Sequence, residues 1–103
     1  MLIRFCEIGE SFGTRPLGDQ IREGMIIPNL KLTGEAKLIF DFQDVEVVSH
    51  SFADQCFGKL IETFGLDFIK DRTTFCNVNP FVSSVIKSAI NKRMARNREM
   101  ITH

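Results

Sequence analysis

The spacing of apolar residues changes along this chain, and the changes predict its strands and helices. Residues 2–8 and 73–78 have the short apolar runs typical of strands, and charge on both faces of the first run favours an edge strand. Residues 36–42 contain three consecutive apolar side chains, which favours a central strand buried on both faces. Helical spacing lies between and after these runs. The alternation predicts an α/β fold, with a small mainly parallel or mixed sheet packed by about three helices.

Capping signals set the boundaries of the first two predicted helices. Thr14 can cap a helix that starts near Arg15, and Pro28 ends or kinks that helix, which leaves residues 30–34 as a connector. Asp44 marks the turn after the central strand. The second helix has an apolar stripe over residues 52–64, a capping-box variant made by Ser51 and Asp54, and a stop at Gly65.

The last predicted helix begins at Asn79 and Pro80, where the first residue caps and the second starts the helix. Its apolar stripe fades after Met94. Residues 92–103 are therefore predicted to be a frayed basic tail on a single domain that spans residues 1–103.

Composition limits the function classes. The chain has 103 residues, of which 44% are hydrophobic and 25% charged, as in an ordinary globular domain. Its apolar runs are much shorter than the roughly 20 residues of a membrane helix, and charges near the N-terminus argue against a signal peptide. These features predict a cytoplasmic protein. The net charge is zero, but residues 35–71 are mainly acidic and residues 72–103 mainly basic.

Candidate catalytic and metal-binding residues are few. Cys6, Cys56 and Cys76 are odd in number and lack C-x-x-C spacing, which favours reduced thiols. Cys56 lies in an apolar stripe, where packing is favoured over nucleophilic chemistry. Asp41 and Asp44 favour a solvated turn over an acid–base pair. Known catalytic, nucleotide-binding and metal-binding spacings are missing, so we expect neither an enzyme nor a cofactor.

Residues 49–54 lie where a buried strand is followed by a helix. A serine there can cap the helix, or it can be a phosphorylation site whose added charge breaks a docked complex. Both Ser49 and Ser51 are candidates.

The segment IFDFQDVEVVSHSFADQCFGKLIETFG, together with GTR at residues 13–15 and NPFV at residues 79–82, resembles the STAS-like domains. These are small relatives of bacterial anti-sigma-factor antagonists, and the resemblance covers roughly residues 12–95. In those antagonists a partner kinase of the GHKL ATPase type phosphorylates a serine in an aspartate–serine–serine–glycine turn. The resemblance places Ser49 at the aspartate, His50 at the phosphorylated serine, Ser51 at the second serine and Phe52 at the glycine. The acceptor position is therefore not a serine in this chain.

The resemblance implies a non-enzymatic regulatory module that binds a protein partner through the strand-to-helix turn. Its implied partner is a GHKL-type ATP-binding anti-sigma or sensor-kinase-like protein, with serine phosphorylation as an optional release signal. We expect the partner-binding residues to be Asp44, His50, Ser51, Asp54, Gln55 and Lys59.

Two alternatives remain open. The protein can bind nucleic acid through the basic side of its last helix, with Lys92, Arg93, Arg96 and Arg98 contacting phosphates. It can also form a homodimer through the first strand, whose two faces both carry charge.

Overall fold

Three short parallel strands form the sheet in the computed structural model, which describes residues 1–9, 11–34 and 36–101, and the side chains of the last helix as far as Arg96. The strands are β1 (Leu2–Arg4), β2 (Leu38–Asp41) and β3 (Thr73–Cys76), in the order β1-β2-β3. The α/β fold, the central position of β2 and the edge position of β1 are confirmed.

Four helices pack with this sheet in the described part of the chain. Helix α1 covers residues 15–33 and contains a π-helical turn at Arg22–Ile26, and helix α2 covers residues 50–64 with a π-helical turn at Asp54–Gly58. Helix α3 (Leu66–Arg72) precedes β3, and helix α4 (Pro80–Ile101) follows it. Helix α3 was not predicted, because Ile69 is its only fully buried side chain and its apolar stripe is weak.

The predicted caps at Thr14 and Asn79 are confirmed. The Thr14 hydroxyl accepts a hydrogen bond from the Leu17 N–H at 3.3 Å, and the Asn79 side chain accepts one from the Val82 N–H at 2.8 Å. Gly65 ends α2 with a φ of 88°, a conformation that suits glycine. These helix ends follow from residues close together in sequence.

Phenylalanine side chains dominate the core between the sheet and the helices. Phe5 and Phe42 stack with ring centroids 4.3 Å apart, and Phe57 of α2 contacts both rings as well as Phe40. The opposite face of the sheet carries Ile39, which is half-buried. Its neighbours there in the pairing register, Leu2 and Thr74, are exposed. The prediction that β2 is buried on both faces is therefore wrong for this second face, which the helices leave open.

Two predicted boundaries in the first third of the chain are wrong. Strand β1 ends at Arg4 rather than residue 8, because a 3-10 turn follows, closed by a 3.0 Å hydrogen bond from Ile8 N–H to the Phe5 carbonyl. That turn directs the Phe5 side chain into the core. Helix α1 continues through Pro28 to Thr33, so residues 30–33 of the predicted connector are helical.

The π-helical turn explains why Pro28 does not end α1. The Ile27 N–H donates to the carbonyl of Arg22, five residues back, so the helix is widened just before the proline. Pro28 has no backbone N–H to donate to the preceding turn, and the wider turn accommodates the proline ring.

The last helix continues further than predicted. Residues 92–101 are helical, where the sequence predicted a frayed tail, and residues 102 and 103 lie outside the described part. Lysine, arginine, methionine and alanine are good helix formers, and Arg93 holds this end of α4 against α2.

Candidate functional site

The loop of residues 42–49, here called the β2–α2 loop, connects the central strand to α2 and is anchored at several points. Phe42 N–H donates to the Cys76 carbonyl at 3.0 Å, and Ser49 N–H donates to the Phe12 carbonyl at 2.9 Å. The Asn79 side chain donates to the carbonyls of Val45 and Glu46 at 3.2 and 3.0 Å. The loop is thus held by β3, by the segment before α1 and by the start of α4.

Ser49, not Ser51, caps α2. The Ser49 hydroxyl accepts the Phe52 N–H at 3.0 Å, and the Ser49 backbone is extended, as an N-cap requires. The predicted capping box is therefore wrong, because Ser51 already lies within the helix and the Asp54 carboxylate is used elsewhere. His50 is exposed in the first turn, and Ser51 is half-buried.

Asp54 joins three helices through its carboxylate. Arg93 of α4 donates from Nε to Oδ1 at 3.1 Å and from Nη2 to Oδ2 at 2.8 Å, and Arg15 of α1 donates from Nη1 to Oδ2 at 2.8 Å. Arg93 also donates to Glu62 at 3.0 Å. The Asp54 and Arg93 side chains are only 11% and 10% exposed, so this ion pair is largely shielded from water.

The electrostatics of Asp54 follow from these contacts. Burial acts to raise the pKa of the carboxyl group, but the hydrogen bonds from Arg93 and Arg15 outweigh it, and the pKa of Asp54 is lowered. The hydrogen bonds that Arg93 donates to Asp54 raise the pKa of Arg93 in turn. Asp54 is therefore a fixed negative charge that positions two guanidinium groups.

The two π-helical turns meet beside this cluster. In α2 the Lys59 N–H donates to the Asp54 carbonyl, so it is not available to the carbonyl of Gln55, its acceptor in a regular α-helix. The buried guanidinium of Arg22 donates to that Gln55 carbonyl and to Asp19. The Gln55 side-chain amide also donates to Asp19 at 3.2 Å, so Gln55 belongs to the contact between α1 and α2.

A groove of about 370 Å³ opens beside Asp54. We call it the basic groove, because four cationic side chains line it against a single carboxylate. Its lining residues are Arg15, His50, Asp54, Lys92, Arg93, Ala95 and Arg96. The sequence did not predict that Arg15 belongs to this site. Arg15 and Asp54 are 39 residues apart, and only the fold brings them together.

Family comparison decides the class of the domain. The family model described as "STAS-like domain of unknown function (DUF4325)" matches residues 18–82, which is more than half of the chain. The chain belongs to this family. No curated protein and no solved structure matches it. The predicted resemblance to STAS-like domains is confirmed.

In this STAS-like domain the predicted partner-binding residues do not form one exposed surface. Asp44 and His50 are exposed, and Asp44 has a φ of 67° at the loop turn. Ser51, Gln55 and Lys59 are half-buried. Asp54 is buried, and its carboxylate accepts hydrogen bonds from Arg15 and Arg93.

Sequence reasoning missed two exposed apolar side chains near the β2–α2 loop. Val47 is 63% exposed and Phe81, in the first turn of α4, is 55% exposed. Asn79 holds the start of α4 against the loop, so Val47 and Phe81 belong to two segments that this side chain joins. The sequence shows an apolar residue at each of these two positions. It does not distinguish them from neighbouring apolar residues that are buried in the core.

The residues of the nucleic-acid alternative are separated by their environments. Arg93 is half-buried, with its side chain only 10% exposed in the pair with Asp54 and Glu62, whereas Lys92 and Arg96 are exposed. The side chain of Arg98 lies outside the described residues. Arg93 is therefore not on an open basic face, because its guanidinium is used within the fold.

The other candidate chemical groups have structural contacts. The Asp41 carboxylate accepts hydrogen bonds from Asn77 and from the Gln43 N–H, both at 3.0 Å, and these lower its pKa. Asp44 is exposed in the turn. Cys56 is fully buried, and burial raises the pKa of its thiol.

Among the described residues, no cluster of histidine, cysteine or acidic side chains could hold a metal ion. No described helix is both long and apolar enough to span a membrane.

Proposed function

We propose that this STAS-like domain is a non-enzymatic regulatory module of the anti-sigma-factor-antagonist type. Its docking surface, here called the loop surface, consists of Asp44, Val47, His50, Ser51 and Phe81. The observation that supports it best is the exposure of Val47 and Phe81 on backbone that hydrogen bonds hold in place.

The fixed backbone matters because ordering a flexible loop on binding would reduce affinity. Covering exposed apolar side chains with a partner lowers the free energy of the complex. The exposed acidic residue Asp44 of the same loop favours a basic rim on that partner. A protein surface with an apolar centre and charged edges is the typical form of a docking site.

The proposed partner is a GHKL-type ATP-binding protein of the anti-sigma or sensor-kinase-like class. This assignment follows from the family, whose better-known relatives bind such partners through the same strand-to-helix turn. His50 is at the position that the resemblance gives to the phosphorylated serine and is exposed, so it would contact the partner.

Ser51 is the better of the two candidate positions for a release signal. The Ser49 hydroxyl already caps α2, so its modification would alter the helix start itself. A phosphate on Ser51 would add a charge of about −1.5 to −2 within the loop surface while leaving that cap in place. The added charge would repel an acidic group of a docked partner and would be costly to desolvate.

The test is affinity co-purification from the native host, followed by titration of the purified partner. Val47→Asp should abolish binding, because it places a charge in the apolar centre. Leu32→Asp is the matched control, since Leu32 is 75% exposed at the end of α1, near the start of β2 and away from the loop surface. Ser51→Asp should weaken the complex if phosphorylation is the release signal.

Three results would contradict parts of this proposal. Equal binding by Val47→Asp and Leu32→Asp would reject the loop surface. Equal binding by Ser51→Asp and the wild type would keep the docking role and reject the phosphate. Retention of nucleic acid alone, lost in Lys92→Gln, would favour the basic helix instead.

A further inference from the structure

The basic groove has a composition that the proposed docking function does not require. Only His50 belongs to both the groove and the loop surface. The four cationic lining residues are Arg15 at the start of α1, and Lys92, Arg93 and Arg96 on one side of α4. Lys92 and Arg96 are one helical turn apart, so both project toward the same side.

The charge of the groove is not balanced by its own carboxylate. The two negative charges of Asp54 and Glu62 are paired with the positive charges of Arg93 and Arg15. Lys92 and Arg96 add two further positive charges at the exposed edge. Within the described residues, Arg15 makes side-chain hydrogen bonds only from Nη1, to Asp54 at 2.8 Å and to Gln55 at 3.4 Å.

We propose that the basic groove binds a small molecule that carries a diphosphate group. A diphosphate has enough negative charge to match the excess of cations, and its oxygens accept the several N–H donors of arginine and lysine. The volume of about 370 Å³ is larger than one phosphate requires and lies in the range of small-molecule sites.

Asp54 prepares the groove for such a ligand. Its carboxylate holds the guanidinium groups of Arg15 and Arg93 in place before a ligand arrives, so less side-chain entropy is lost on binding. The Asp54 carboxylate is largely shielded from water, while Lys92 and Arg96 are exposed and therefore available to contact the ligand.

The arrangement favours a compact ligand over a nucleic-acid strand. The four cations come from the start of α1 and from residues 92–96 of α4, and they converge on one cavity. A strand of nucleic acid requires contacts spread along its backbone, and Arg93, the middle residue of the basic α4 segment, is already paired with Asp54 and Glu62.

Calorimetric titration of the purified protein with inorganic pyrophosphate and with ADP at low salt tests this inference. The variant is the double substitution Lys92→Gln and Arg96→Gln, and the control is Lys31→Gln with Lys70→Gln, which removes the same charge from exposed positions outside the groove. We expect saturable binding by the wild type and the control, and a loss of about tenfold or more in the groove variant. Circular dichroism should show all three proteins folded.

The inference is overturned if neither pyrophosphate nor ADP binds saturably, or if both double variants lose affinity equally. It is also overturned if duplex DNA binds through Lys92 and Arg96 while both small probes fail. The test is separate from that of the proposed function, because the groove variant keeps Val47 and Phe81, and the Val47→Asp variant keeps Lys92 and Arg96.

Discussion

Arg93 of α4 donates two parallel hydrogen bonds to the Asp54 carboxylate of α2, at 3.1 Å from Nε to Oδ1 and at 2.8 Å from Nη2 to Oδ2. This fork-shaped contact fixes both the distance and the rotation between the two side chains. Gly58 lies directly beneath it, since a Cβ added there would lie 2.8 Å from Asp54 Oδ1. The pair therefore depends on a close approach of α2 and α4, and it joins the helix that follows the central strand β2 to the helix that follows β3.

Asp54→Asn should destabilise the fold by about 3 kcal/mol, because it removes the shielded counter-charge of the Arg93 guanidinium and leaves only the more exposed Glu62 to pair with it. Glu62→Gln is the matched control at the other side of Arg93. The Glu62 side chain is 38% exposed, so its loss should cost less than about 1 kcal/mol. Urea unfolding of both variants measures the difference. An equal loss of unfolding free energy in both variants would show that the Asp54 contact stabilises the fold no more than the Glu62 contact does.

The same carboxylate should make stability depend on acid. Hydrogen bonds with Arg93 and Arg15 hold the pKa of Asp54 below its ordinary value of 3.8, so this stabilisation is fully present above that pH and is lost as pH falls toward the lower folded-state pKa. Urea unfolding at a series of pH values from about 6 to about 2 should show a smaller acid loss in Asp54→Asn than in the wild type. Some loss should remain, because the pKa values of Asp19 and Asp41 are also lowered. Parallel curves for the two proteins would contradict the assignment.

Two glycines of α1 should respond in opposite ways to the same substitution. A Cβ at Gly18 would lie 2.9 Å from the Phe52 carbonyl oxygen and 3.2 Å from the Cys56 nitrogen, so Gly18→Ala must push α1 away from α2. We expect a loss of about 1–3 kcal/mol. A Cβ at Gly24 would have no atom within 4 Å, so Gly24→Ala should stabilise by about 0.5–1 kcal/mol. Thermal unfolding distinguishes them, and a shift of the same sign in both would contradict the helix contact.

The serine that caps α2 can be identified by stability alone. Ser49→Ala should cost about 1 kcal/mol, because the Phe52 N–H loses its acceptor. Ser51→Ala, two residues later and inside the helix, should cost much less. Urea midpoints of the two variants provide the comparison. A larger loss for Ser51→Ala would return the cap to the position that the sequence predicted.

The three thiols should differ in reactivity with a thiol reagent. Cys6 is exposed and Cys76 half-buried, whereas Cys56 is fully buried and burial raises the pKa of its thiol. In the folded protein Cys56 should therefore react only when the fold opens, and in urea all three should react. Cys6→Ser should remove the fastest phase. Rapid labelling of Cys56 in the native protein would contradict its place in the core.

The sequence predicted the parts of this fold that depend on nearby residues. The caps at Thr14 and Asn79, the stop at Gly65 and the central strand depend on residues within a few positions of each other. Pro28 was misread for a related reason. A proline normally breaks a helix, and only the hydrogen bond from Ile27 N–H to the Arg22 carbonyl shows how this one is accommodated.

The candidate site was predicted less well, because distant parts of the chain build it. The sequence predicted Asp54 as a capping and partner-binding residue, and it placed Arg93 on the basic side of the last helix. Their pairing depends on how α2 packs against α4, which no local pattern encodes. The exposure of Val47 and Phe81 was equally hidden, since an apolar residue near a turn looks the same in sequence whether it faces the core or the solvent.

Arg15, Asp54 and Arg93 are separated by two equal intervals of 39 residues, and this spacing has a consequence for how the chain is made. A ribosome adds about 5–20 residues per second, so Asp54 is synthesised about 2 to 8 seconds before Arg93 and is available to Arg15 first. The nascent carboxylate is then held by its more exposed partner alone, as α1 and α2 begin to pack. The three-helix junction is completed only with the synthesis of α4, which makes that helix the last step in the assembly of the groove.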